Sequence, residues 1–147
     1  MSTRKKLFIT GAAGLVGSAL RRYLRDRYDM RLMFHRTIPD DLAPDNEIVV
    51  SDLSNFEGMV EAGAGVDVII HLGIAKAKQG FPRSRYNQMI MDTNIQGTYN
   101  IFESARINKV PKVIFASSNA VTGMYEQEGV KTTWDMPPRP RDFYGVS

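Results

Sequence analysis

The chain has 147 residues, of which 43% are hydrophobic and 24% charged, an ordinary composition for a soluble globular protein. A net charge of only +3, with no basic stripe of interleaved aromatic residues, argues against a nucleic-acid partner. The absence of cysteine excludes disulfides and thiolate chemistry. Without a signal core or an apolar run near the roughly 18 residues of a membrane span, we expect a cytoplasmic protein with no membrane partner.

Strand and helix patterns alternate along the chain. They predict strands at residues 6–10, 30–34, 47–50, 66–71 and 112–116, helices at 15–27, 55–62 and 86–107, and loops at 38–45 and 119–143. In the first helix the predicted apolar face is Val16, Ala19, Leu20, Tyr23 and Leu24. The alternation predicts one α/β domain over residues 1–147, with a Rossmann-type parallel sheet in the order 3-2-1-4-5 and helices on both faces.

Three glycines, Gly11, Gly14 and Gly17, stand three residues apart between the first strand and the first helix. Gly11 permits a tight turn, Gly14 lets a pyrophosphate approach the backbone, and Gly17 lets the helix lie close to the strand. The N-terminus of the helix offers free N–H groups and partial positive charge to phosphates. Because a strand precedes the glycines and a helix follows them, the segment predicts dinucleotide binding.

Two further segments bear on the cofactor. Arg36 follows the second strand, where an arginine suits the 2′-phosphate of NADP and an acidic residue suits NAD. The cofactor is therefore NAD or NADP, with Arg36 favouring NADP; the alternative is that Arg36 is an exposed loop residue. Asp52 follows the third strand and can accept a hydrogen bond from an adenine amino group, or it caps the next helix, although Ser54 is the better cap.

Polar residues also follow the fourth and fifth strands. Gly73 allows backbone to lie near a ligand, whereas His71 is more typical of a packed histidine at a strand end than of a catalyst. No other residue stands at metal-ligand spacing, so we expect no metal ion. Ser118 could hold a substrate oxygen, and Tyr144 could exchange a proton if its pKa were lowered by a neighbouring cation.

Taken together, these segments resemble the extended short-chain dehydrogenase/reductase family, in its NAD-dependent epimerase/dehydratase group. The resemblance is carried, in the family's order, by residues 10–17, Asp52-Leu53, His71-Leu72-Gly73, residues 94–100, residues 115–118 and residues 144–147. Within the family the chain looks most similar to uronate dehydrogenases, which oxidise a sugar acid by hydride transfer to NAD. It differs in having Ala120 where that group tends to carry histidine, and His35-Arg36 where an acidic residue would select NAD.

The resemblance implies a role for each matching residue. Ser118 would be the catalytic serine and Tyr144 the catalytic acid/base, also lying beside the cofactor. Asn94 would support the hydrogen-bond network of the active site. The pyrophosphate would lie on Gly11, Gly14, Leu15, Val16 and Gly17, the adenine on Asp52 and Leu53, and the ribose and nicotinamide on Leu72 and Gly73. The implied substrate is a sugar-type small molecule.

In the family motif a lysine follows the tyrosine by four positions, which here is one position beyond Ser147. We therefore expect the chain to be the N-terminal part of a longer enzyme, truncated before its C-terminal strands and substrate lobe and inefficient in turnover alone. The resemblance also implies that the full-length enzyme is a homodimer. A nucleotide-sugar epimerase/dehydratase and a non-catalytic dinucleotide-binding module remain alternative interpretations.

Overall fold

A five-stranded parallel sheet forms the centre of this computed structural model, which describes residues 4–75 and 80–147. The strands are β1 (Lys6–Thr10), β2 (Asp29–Phe34), β3 (Glu47–Val50), β4 (Val68–His71) and β5 (Val113–Phe115). They lie in the order β3-β2-β1-β4-β5, all parallel, which confirms the predicted topology. The strand order reverses between β1 and β4, so a crevice opens at their carboxyl ends.

The helices follow the predicted order but differ in detail. They are α1 (Leu15–Leu24), α2 (Phe56–Gly63), α3 (Arg83–Met89) and α4 (Gly97–Ile107), with a π-helical stretch at Ile90–Gln96 that joins α3 to α4. The long helix predicted for residues 86–107 therefore begins at Arg83, and its middle has wider turns. Such π-helical stretches are rare and often occur at functional sites.

Both faces of the sheet are covered, as predicted. One buried cluster lies under α2 and α4 and includes Phe8, Met59 and Ile101. The other lies under α1 and includes Ile9 and Leu32. Each fully buried side chain of this size stabilises the fold by about 1.5–3 kcal/mol, and the two clusters together hold the strands in register.

The predicted apolar face of α1 is wrong in part. Val16 is 57% exposed, Tyr23 is 70% exposed and Ala19 is also exposed, whereas Leu20 and Leu24 pack against the core as predicted. The fully buried residues of the helix are Gly17 and Arg21. The reason is the contact at Gly17, where a Cβ would lie only 2.3 Å from the Gly11 carbonyl oxygen. This close approach sets the rotation of the helix, and Arg21 is buried because its guanidinium pairs with Asp41.

Two local predictions also need correction. Residues 119–143 are not one loop, because they contain a 3₁₀ turn at Asn119–Thr122 and a short helix, α5, at Gly123–Gln127. The N-cap of α2 is Asn55, whose side chain accepts from the N–H of Gly58 at 3.1 Å, and not Ser54. Ser54 lies one position before the cap, and its hydroxyl donates to Asp52 at 2.8 Å.

Candidate functional site

The glycine turn between β1 and α1 packs against the end of β4. Gly11 has φ +67°, a conformation that side chains rarely allow. A Cβ on Gly11 would also lie 2.7–2.8 Å from backbone atoms of Leu72 and Gly73. The turn can therefore approach β4 this closely only because residue 11 is glycine.

The N-terminus of α1 is open to a ligand. Its N-cap, Gly14, is extended, no side chain of the described residues caps it, and the first turn contains no acidic residue. The first N–H groups of a helix have no intrahelical acceptor, so here they and the helix dipole face solvent. Leu15 is 87% exposed beside them. This arrangement fits a pyrophosphate, which accepts hydrogen bonds and carries negative charge.

A buried hydrogen-bond chain joins β1, β4 and α4. The Thr10 hydroxyl oxygen accepts from the backbone N–H groups of Leu72 and Gly73, both at 3.1 Å. Because these two contacts use its lone pairs, the Thr10 O–H donates to His71 Nδ1 at 2.7 Å. His71 Nε2 must then carry the hydrogen, and it donates to the Thr98 hydroxyl at 3.1 Å.

These hydrogen bonds give His71 a structural role. The ring is 1% exposed, and burial lowers the pKa of His71 from 6.5 to about 4. A neutral histidine with both ring nitrogens already bonded does not serve as an acid or base near pH 7. The prediction of a packed histidine at the strand end is therefore confirmed, and His71 orients the Thr10 hydroxyl, which in turn holds Leu72 and Gly73 in place.

Asn94 connects the segment after β4 to the end of the chain. It lies in the π-helical stretch and is 5% exposed. Its side-chain oxygen accepts from the N–H of Ala75 at 2.8 Å, and its Nδ2 donates to the Ser147 hydroxyl at 3.1 Å. Ser147 in turn donates to the carbonyl of Tyr144 at 2.8 Å. Asn94 thus links the loop beside Gly73 to the short helix α6 (Phe143–Val146) that carries Tyr144.

Ser118 and Tyr144 lie on the same cleft. The Ser118 oxygen accepts from the N–H of Ala120 at 3.2 Å and so caps the 3₁₀ turn. A Cβ on Gly145 would lie 2.3 Å from the Ala120 carbonyl oxygen, so α6 rests directly on that turn. The cleft has a volume of about 330 Å³ and is lined by Gly73, Asn94, Thr98, Ser118 and Tyr144 among others. Residues predicted from distant parts of the sequence therefore meet at the carboxyl edge of the sheet.

The opposite end of this edge carries the residues after β2 and β3. His35 Nε2 lies 3.1 Å from Asp52 Oδ2, and Arg36 is exposed beside them. Partial burial tends to raise the pKa of Asp52. Hydrogen bonds from Ser54 and the charges of His35 and Arg36 outweigh this effect and hold that pKa below its usual range. Asp52 therefore does not cap α2, since its Oδ1 accepts from the N–H and hydroxyl of Ser54.

Leu53 is buried beneath two glycines. Its side chain is 6% exposed, and a Cβ on either Gly73 or Gly97 would lie 2.7–2.8 Å from it. Its carbonyl oxygen already accepts from Asn100 at 2.8 Å. A contact between Leu53 and an adenine ring would therefore involve backbone atoms of Leu53 rather than its side chain.

A second cavity, of about 380 Å³, lies between α1 and residues 41–46. Its walls carry charges that pair with each other: Arg21 and Arg22 with Asp41, and Arg25 with Asp26. We interpret it as a solvated ion-pair cluster rather than the functional site. In the described ranges, no group of three or more histidine or carboxylate side chains could hold a metal ion. No helix of those ranges is long and apolar enough to cross a membrane.

Sequence reasoning missed Thr98 and Gly145. Thr98 stands four residues after Asn94, but nothing in the sequence shows that β4 brings His71 against it. Gly145 gives only a weak sequence indication of close packing, because glycine is an unfavourable helix residue unless packing requires it.

Comparison with known proteins agrees with this geometry. Residues 7–147 match the model of the NAD dependent epimerase/dehydratase family. The chain is 35% identical over 143 residues to uronate dehydrogenase of Agrobacterium fabrum, a match that covers 97% of this chain and 51% of that protein. It is 32% identical over 157 residues to NAD-dependent glucose-6-phosphate dehydrogenase of Haloferax volcanii, covering 96% of this chain and 58% of that protein.

A solved structure of uronate dehydrogenase from Agrobacterium tumefaciens, a tyrosine-to-alanine mutant complexed with NAD, is also similar. It is 32% identical with a TM-score of 0.77, and the match covers 98% of this chain and 52% of that one. The chain thus spans about half the length of these uronate dehydrogenases. The family match over nearly all residues, with the fold and the glycine turn, leads to one conclusion: the chain belongs to the NAD dependent epimerase/dehydratase family.

Proposed function

We propose that the protein is an NAD(P)-dependent oxidoreductase that acts on a sugar or sugar acid by hydride transfer, as uronate dehydrogenases do. Residues 1–147 would be its cofactor-binding part. The observation that carries this proposal is the shared cleft of Ser118 and Tyr144, which adjoins Gly73 and the crevice at the carboxyl ends of β1 and β4. The identity to a uronate dehydrogenase and to a second NAD-dependent sugar dehydrogenase supports it.

The cofactor would lie along the carboxyl edge of the sheet. Its pyrophosphate would accept hydrogen bonds at the open N-terminus of α1, formed by Gly14, Leu15, Val16 and Gly17 above the Gly11 turn. Its nicotinamide half would lie beside Leu72 and Gly73, which the Thr10 hydroxyl holds in place. When bound, the nicotinamide accepts or supplies the hydride.

The chain's own residues would handle the proton. Tyr144 would exchange a proton with a substrate hydroxyl, and Ser118 would orient that oxygen by hydrogen bonding. Asn94 would act indirectly, because its hydrogen bond to Ser147 holds the helix that carries Tyr144.

Between the two cofactors, Arg36 favours NADP. The side chain is exposed just beyond β2, where the adenine ribose binds in dinucleotide folds. Its guanidinium could form charge-assisted hydrogen bonds with a 2′-phosphate. Asp52 would lie near the adenine.

The protein would function as a homodimer. Exposed apolar residues recur every three or four positions along the π-helical stretch and α4, at Met91, Ile95, Tyr99 and Phe102. Such a stripe on a helix surface is typical of a contact between subunits.

A nucleotide-sugar epimerase/dehydratase is the second candidate, favoured by the name of the matching family. The test is a screen of the full-length enzyme, of which residues 1–147 would be the cofactor-binding part, with NAD and NADP against uronates, neutral aldoses and nucleotide sugars. Nicotinamide absorbance and sugar products are both measured. Net nicotinamide reduction supports the dehydrogenase, whereas product without net reduction supports the epimerase.

Tyr144→Phe should lower turnover at least about 100-fold while cofactor affinity stays within a few-fold. Unchanged turnover would refute the role of Tyr144. Cofactor binding without turnover on any substrate would instead indicate a binding module.

A further inference from the structure

Helix α4 holds the turn between β3 and α2. A Cβ on Gly97 would lie 2.7 Å from the Cβ of Leu53, so the backbone of the helix lies directly against this turn. One helical turn later, Asn100 Nδ2 donates to the Leu53 carbonyl at 2.8 Å. Asn100 is 0% exposed, and its hydrogen bond to the turn is therefore closed to solvent.

A second hydrogen bond completes the setting of the Asn100 amide. The oxygen and nitrogen of an asparagine amide have nearly the same shape, so only their partners decide which atom faces which way. The Leu53 carbonyl can only accept, so Asn100 Nδ2 must face it and Oδ1 must face away. Gln96 Nε2 donates to that Oδ1 at 2.8 Å. An exposed glutamine on the preceding helical turn thus helps to direct a buried donor at the Leu53 carbonyl.

The same turn presents an acceptor beside a donor. The Asp52 carboxylate is 46% exposed, and its Oδ1 is held by the N–H and hydroxyl of Ser54 at 2.9 and 2.8 Å. The next N–H along the chain, that of Leu53, has no acceptor within the described ranges. An adenine edge presents an amino donor beside a ring-nitrogen acceptor, which is the complementary arrangement.

We propose that Asn100 is a positioning residue for adenine recognition, which acts through the Leu53 carbonyl to place the Asp52 carboxylate and the Leu53 N–H. This inference rests on the proposed function, since it assumes that a dinucleotide binds along the carboxyl edge of the sheet. Asn100 is too deeply buried to contact the cofactor itself. Without Asn100 Nδ2 the Leu53 carbonyl would lose its partner inside the core, and the turn would shift to satisfy it.

The experiment compares NAD with nicotinamide hypoxanthine dinucleotide, in which an oxygen replaces the adenine amino group and the adjacent ring nitrogen carries a hydrogen. Dissociation constants are measured by calorimetry at neutral pH, and the same pair with a 2′-phosphate is used if NADP binds more tightly. Wild-type protein should bind the adenine form about tenfold more tightly, the equivalent of one good hydrogen bond. Asn100→Leu should weaken NAD binding about tenfold and reduce the preference for adenine to about twofold.

Two further variants separate positioning from a general loss of stability. Gln96→Glu keeps the shape of an exposed residue and removes only the hydrogen that it donates to Asn100. Its carboxylate would attract Asn100 Nδ2 away from Leu53, so the preference for adenine should fall here as well. Ser104→Ala removes a buried hydroxyl one turn further along α4, where it donates to the Met59 carbonyl at 2.6 Å. This control should also lower stability but keep the wild-type preference.

The outcomes separate the two proposals. If a dinucleotide binds but Asn100→Leu and Gln96→Glu both keep the wild-type preference, the role of Asn100 is refuted and the proposed function stands. The same holds if Ser104→Ala lowers the preference equally, or if the wild-type protein binds both bases with the same affinity. If Asn100→Leu does not fold, Gln96→Glu decides alone. If neither NAD nor NADP binds the folded protein, both proposals are refuted.

Discussion

The buried histidine His71 should make the stability of the fold depend on pH in a defined window. Its pKa is about 4 in the folded protein, against 6.5 for an ordinary histidine side chain. Between these two values the unfolded chain binds a proton that the folded chain does not, so acid favours unfolding. The stabilisation is complete above pH 6.5 and is lost progressively as the pH falls towards 4.

The magnitude follows from the two pKa values. Each unit of difference corresponds to about 1.4 kcal/mol, so the free energy of unfolding should fall by about 3 kcal/mol across the window. The structural cause is that His71 Nδ1 accepts the hydrogen of Thr10, whose lone pairs are already used by Leu72 and Gly73. A protonated ring would set two hydrogens against each other at this contact.

Urea unfolding at pH values from 8 to 4.5 would measure this dependence. The protein has two histidines, so the comparison of two variants isolates the effect. His71→Gln should be less stable than wild type at pH 8 but lose less stability on acidification. His35→Gln changes the exposed histidine and serves as the matched histidine-to-glutamine control. If wild type and His71→Gln lost the same free energy between pH 7 and 4.5, the reasoning about His71 would be wrong.

Three other substitutions test the packing of the glycine turn and of α4. Gly17→Ala places a Cβ 2.3 Å from the Gly11 carbonyl oxygen. It should reduce the free energy of unfolding by about 2 kcal/mol and weaken NAD binding at least about tenfold. Wild-type stability together with wild-type NAD affinity would contradict the close contact. Lys109→Gly removes a side chain at φ +55° after α4; denaturation should show a gain of about 1 kcal/mol, whereas a loss would show that the side chain is needed there. Ser104→Ala deletes the buried 2.6 Å hydrogen bond to the Met59 carbonyl; a loss of about 1 kcal/mol is expected in the same assay, and wild-type stability would mean that water replaces the hydroxyl.

The element order and the sheet topology could be predicted because they depend on local patterns. Apolar strands alternating with helical segments admit few arrangements other than a doubly wound parallel sheet. The glycine turn could also be identified, since Gly11 and Gly17 permit backbone contacts that no other residue allows.

Other features depend on contacts between distant residues. The rotation of α1 depends on its closest backbone contact, at Gly17, as well as on hydrophobic spacing, so Arg21 rather than Val16 is buried. The turn after β5 was missed because tertiary packing against Gly145 stabilises it, whereas local patterns report only sequence neighbours.

The amino-acid sequence by itself determined the fold class, the position of the phosphate-binding turn and the family resemblance, because spacing along the chain encodes all three. The tertiary structure decided which side chains form hydrogen bonds and ion pairs with each other. It joined Thr10 to His71 across two strands and His35 to Asp52 across two strand ends, contacts that span 61 and 17 positions of the chain. Such pairs form only when parallel strands end at the same edge of a sheet, and no local pattern reports them.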